Sequence, residues 1–162
     1  MSDDELDPKT FDVDAWLSGA TRVTKMVEFY AKTALHGEID YLDSLAADAE
    51  GDERDDLNSR ADALREEMKA SLVRFMISSI PERRVDAITK QFKPKDAEGR
   101  TFAVMAEQIV SPAMTAEQLE TLRDAVGDGY FTQTLVATCL AAQQGISVSV
   151  PFSSAASRAR RR

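Results

Sequence analysis

The chain has 162 residues, of which 43% are hydrophobic and 30% charged, and 28 acids against 20 bases give a formal net charge of −8. That suits a soluble globular chain with a real core and argues against a protein whose whole surface grips nucleic acid. A single cysteine and a single histidine exclude an intramolecular disulfide framework, a cysteine-based zinc site and any multi-histidine metal site, and no apolar run reaches the ~18 residues of a membrane span.

Residues 1–14 carry six acids (Asp3, Asp4, Glu5, Asp7, Asp12 and Asp14) against Lys9, the composition of a solvated tail. The opening MSDDELD is acidic where a signal peptide is basic, so a cytoplasmic chain is expected. Phe11, Val13, Trp16 and Leu17 then form a short apolar patch closed by Gly19. Trp16, the sole tryptophan, is expected to pin this end onto the core.

From Val23 the period changes to two. Val23, Lys25, Val27, Phe29 and Ala31 share one face, and Thr24, Met26, Glu28, Tyr30 and Lys32 the other, which predicts a strand over 24–31. Leu35, Ile39, Leu42, Ala46 and Ala49 follow at helical spacing. After a polar break at Glu50–Glu53, the spacing resumes with Leu57, Ala61, Leu64 and Met68. Two such seams predict an antiparallel helical hairpin over 34–48 and 56–69. The β-branched run Ser71–Ser79 predicts a second strand over 71–78 beside the first, parallel or antiparallel.

Beyond residue 80 the pattern predicts helices only. Pro81 opens one with Val85, Ile88 and Phe92 on a face, and Pro94 ends it. Asp96 caps the next, whose stripe is Phe102, Met105, Ala106, Ile109 and Val110. Thr115 with Gln118 forms a capping box ahead of Leu119, Leu122 and Val126, and Gly127 closes that helix. A last helix over about 129–143 carries Phe131, Leu135, Cys139 and Ala142. The expected fold class is α+β, mainly α. Its parts are an acidic N-terminus (1–14), a strand–helical hairpin–strand unit (15–80), a helical unit (81–144) and a flexible Ser/Arg tail (145–162).

Little in the chain carries chemistry. His36 has no nucleophile in local arrangement with it, and Cys139 lies on an apolar helix face, where free cysteine packs as a small hydrophobe. The Asp52–Asp56 turn lacks the glycine and closing glutamate of a calcium loop, and no phosphate-cradling glycine loop occurs. No enzyme activity, cofactor or metal is expected. Charge is uneven instead: residues 36–70 hold twelve acids against four bases, whereas 71–95 hold six bases against two acids. Arg83 and Arg84 in the basic patch, with Phe152, Arg158 and Arg160 in the tail, are the expected partner-contact residues.

Four segments carry a family likeness: FDVDAWLSGA (11–20), KMVEFYAK (25–32), VSPAMTAEQLETLR (110–123) and the terminal VPFSSAASRARRR (150–162). In this order, around a charged hairpin, they resemble tail assembly chaperones of long-tailed, siphovirus-like bacteriophages, above all those of actinobacteria. The resemblance implies a non-catalytic helper in the host cytoplasm. Such a helper holds the aggregation-prone tape measure protein, aids tail tube protein assembly around it, and can self-associate. Two other readings stay open. One is a virion structural or head–tail connector protein. The other is a nucleic-acid-associated accessory protein using Arg158–Arg162 and the basic patch of residues 83–95. No membrane partner is expected.

Overall fold

The computed structural model describes residues 9–145. The fold is α+β, mainly α. Strand β1 (Thr24–Tyr30) pairs with β2 (Leu72–Ser78) along its whole length, from Thr24 opposite Ser78 to Tyr30 opposite Leu72. The pairing is antiparallel, the direction left open by the sequence.

Between them rises a two-helix arm, α2 (Ala34–Asp48) and α3 (Gly51–Ala70). At 20 residues α3 is about 30 Å long. The second helix was expected from 56, yet it starts at Gly51, and the turn is only Ala49 and Glu50. Asp52 and Glu53, read as part of a break, sit in the first helical turn, where carboxylates favour the positive end of the helix dipole. The arm has its own small core of Leu42, Ala46, Leu57 and Ala61, with Ala49 and Leu64 packed against it. Arg54 Nε donates to the carbonyls of Ala49 (2.8 Å) and Ala46 (3.2 Å), satisfying the end of α2. Arg65 bridges the two helices to Asp43 and also binds Asp62.

The remaining elements cover one face of the sheet. They are α4 (Glu82–Thr89), α5 (Ala97–Gln108), α6 (Ala116–Val126), α7 (Asp128–Phe131), a π-helical turn (Thr132–Val136) and α8 (Ala137–Gln144). A third strand, β3 (Ile109–Ser111), joins the free side of β2 antiparallel, so the sheet order is β1-β2-β3. This corrects the expectation of helices alone beyond residue 80. The stripe from Phe102 stays helical only to Gln108. Ile109 and Val110 are β-branched, the following Pro112 disfavours helix at Ser111, and Ile109 pairs with Ile77 instead.

The main core joins Phe29, Phe75 and Ile77 of the sheet to Phe102, Met105, Leu119, Phe131, Leu135, Cys139 and Ala142 of the helices. The capping box at Thr115 and Gln118 forms as expected. A second correction concerns α1 (Val13–Ser18). None of its residues is buried, and Trp16 is 60% exposed, its one ring neighbour among the described residues being Phe11, 6.0 Å away. Asp12 caps this turn through the Ala15 amide, but six residues present too little apolar area to anchor it. Trp16 therefore does not pin the N-terminal end to the core.

Candidate interaction surface

Alternation along β1 and β2 decides what the sheet shows to solvent. Val27, Phe29, Phe75 and Ile77 point at the helices; Thr24, Met26, Glu28, Arg74 and Met76 point away. Among the described residues no helix lies over the outward face. At its centre Met26 and Met76 are direct cross-strand partners, 60% and 37% exposed. Beside them Arg74 Nε donates to Glu28 Oε1 at 3.0 Å. Next to the buried Ile109 on β3, Val110 is exposed and adds a third apolar side chain at that edge. The sequence placed Met26 and Met76 on the alternate faces of their strands. Which face the helices would cover depends on long-range packing and was not legible.

A second apolar feature is an open cavity of about 300 Å³ between α4, α5 and α8, lined by Val104, Met105, Val136 and Leu140 among others. Its buried polar neighbour, Gln108, is committed: Nε2 donates to the Cys139 carbonyl at 3.0 Å.

Of the expected contact residues, Arg83 and Arg84 both lie exposed on α4. Arg84 is tied to Glu107 of α5, and this hydrogen bond holds the Glu107 carboxyl below its ordinary range against an opposing desolvation effect. Arg83 makes no ion pair among the described residues. Phe152, Arg158 and Arg160, like the rest of the expected tail from 146 onward, lie outside the described residues.

The groups weighed for chemistry are placed as follows. Cys139 is buried, and desolvation pushes its thiol up to about 12. His36 Nδ1 lies 3.1 Å from Asp40 Oδ2 on the exposed side of α2. Among the described residues no group of three or more His, Cys, Asp or Glu side chains is arranged to hold a metal, and no helix is long and apolar enough to cross a membrane.

Comparisons with protein-family models, with curated proteins and with solved structures find no match to this chain.

Proposed function

We propose that the chain is a non-catalytic tail assembly chaperone of a long-tailed phage, which binds the tape measure protein and aids tail tube assembly in the host cytoplasm. The observation that carries this reading is the uncovered sheet face centred on Met26 and Met76. Methionine is flexible and polarisable, so an exposed pair on a rigid sheet can pack against many apolar sequences. A client that is long and varied needs that adaptability. The arm supports the reading in another way. Its twelve-acid stretch is costly to bury, so it stays in water and leaves the sheet face as the contact surface. The one thiol is buried with a raised pKa, and the one imidazole sits in solvent beside Asp40; neither is poised as a nucleophile or its base.

Purification of the tagged chain from phage-infected cells tests the proposal. The tape measure protein should co-purify, and the chain should be absent from finished particles. High copy number in purified particles would instead support a structural or connector protein. Retention of DNA or RNA with a steep salt dependence would support the nucleic-acid reading.

A further inference from the structure

Among the described residues the outer edge of β1 is open. Ala31 N–H donates to the Ser71 carbonyl and Ser79 N–H to the Val23 carbonyl, which sets the phase of the β1–β2 ladder. Lys25, Val27 and Phe29 therefore bond to β2, and Thr24, Met26, Glu28 and Tyr30 turn their amides and carbonyls to the free edge. The Tyr30 amide is taken, donating to the Tyr130 hydroxyl at 2.9 Å, so the free stretch is 24–28. A row of unpaired backbone groups is a template for an added strand.

Beside this stretch lies a cleft of about 380 Å³, lined by Lys25 and Met26 on the strand and by Ala137, Thr138 and Ala141 of α8. The helical wall is small and uncharged. Lys25 is half-buried here and makes no ion pair among the described residues, whereas Lys32 is held by Glu67, and Glu28 on the outward face by Arg74. Arg22, just before the strand, is a second cation, exposed and also without an ion pair among the described residues.

Lys25 decides what the edge accepts. A neutral strand laid along 24–28 closes the cleft over its ammonium group and leaves a charge without a partner, which is costly. A second copy is worse. Self-pairing on the free stretch centres on Met26, sets Lys25 opposite Val27 of the other copy, and brings two Lys25 side chains to diagonal positions on one face. A strand with a carboxylate opposite Lys25 pairs the charge that it covers. Its neighbouring residue, opposite Met26, points to the outward face, where an apolar side chain extends the Met26–Met76 row.

We propose that the β1 edge binds an extended acidic segment of a partner protein by strand addition, with carboxylates facing the cleft beside Lys25 and apolar side chains beside Met26. Backbone bonds to Thr24, Met26 and Glu28 hold the segment, and Lys25 selects it. This edge lies beside the sheet face of the proposed function and takes its segment whether or not that face holds a client.

Two nine-residue synthetic peptides test this on the full chain, one alternating glutamate with valine and one alternating glutamine with valine. Amide hydrogen exchange by NMR reads the edge, and the Phe29 and Phe75 amides, bonded within the β1–β2 ladder, report that the chain is folded. At saturating glutamate peptide, the Thr24, Met26 and Glu28 amides should exchange about tenfold more slowly than in the free chain. The glutamine peptide should bind about tenfold more weakly, although the net charge of −8 repels the glutamate peptide more. Lys25→Glu should abolish that preference while Phe29 and Phe75 stay protected. No protection at the edge, equal binding of the two peptides, or a preference that survives Lys25→Glu would each overturn the proposal. Protection of the same amides without peptide would also overturn it, assigning the edge to a second copy if it rises with protein concentration and to the chain itself if it does not.

Discussion

Gln143 binds both backbone groups of Ile80: its Oε1 accepts from the Ile80 amide at 3.1 Å and its Nε2 donates to the Ile80 carbonyl at 2.9 Å. One side-chain amide thereby does for the end of β2 what a neighbouring strand would do, and locks α8 to the sheet. Gln143→Ala leaves two partly buried backbone groups without partners. It should lower the free energy of unfolding by about 1–3 kcal/mol in urea titrations. Gln143→Glu keeps the acceptor and loses the donor, so it should fall between wild type and alanine.

Gly99 has a close neighbour. A Cβ built there lies 2.6 Å from Asp96 Oδ2, because Asp96 caps α5 by accepting from the Gly99 amide at 2.9 Å. An exposed helical Gly→Ala change ordinarily stabilises by roughly 0.5–1 kcal/mol. Here the methyl group displaces the cap, which is worth about 1 kcal/mol. Gly99→Ala should therefore give no gain in thermal midpoint, and Gly99→Ala with Asp96→Ala should be no less stable than Asp96→Ala alone.

Cys139 offers a readout of the core. Burial pushes its thiol up to about 12, and no other cysteine is present. Reaction with a thiol reagent at neutral pH should follow unfolding, rising with urea along the same curve as the loss of helix signal. Rapid labelling of the folded protein would show that the pocket beside Leu140 opens to the core.

Much of this core is legible in the sequence. Phe102, Met105, Leu119, Phe131, Leu135 and Cys139 stood at helical spacing, and Phe29 and Phe75 on alternating strands. The arm was legible because its seam is local, every contact lying between neighbouring turns of one hairpin. Strand β3 was not, since three residues carry no period and Ile109 joins the sheet only because Ile77, far away in sequence, is there to receive it. Trp16 misled because residue type predicts burial only where enough neighbouring area exists to bury it against. The candidate surface was half legible: alternation grouped Met26 with Glu28 and Met76 with Arg74, but the choice of covered face belongs to tertiary packing.

The Arg84–Glu107 pair gives a pH dependence of definite sign. The hydrogen bond from Arg84 lowers the Glu107 pKa in the folded chain, so the folded state binds its proton less readily than the unfolded one. The contribution is fully present above the ordinary carboxylate range and is lost as pH falls through that range toward the lowered value. Both side chains are partly exposed, so the effect is small and screened by salt. Urea midpoints measured from neutral to acid pH should fall slightly less steeply for Glu107→Gln than for wild type, and the difference should shrink in high salt.

In the proposed function the open sheet face holds the client, and solubility of the tape measure protein on co-expression reads this out. Met26→Lys with Met76→Lys places two charges at the centre of that face. Both positions are exposed, so the variant should keep the wild-type fold by circular dichroism. It should fail to keep the tape measure protein soluble, Arg83→Glu should weaken capture more at low salt than at high, and Asp52→Lys with Asp56→Lys on the arm should leave solubility unchanged. Full solubility with the double methionine variant, or its loss only when the arm is reversed, would place the client on another surface.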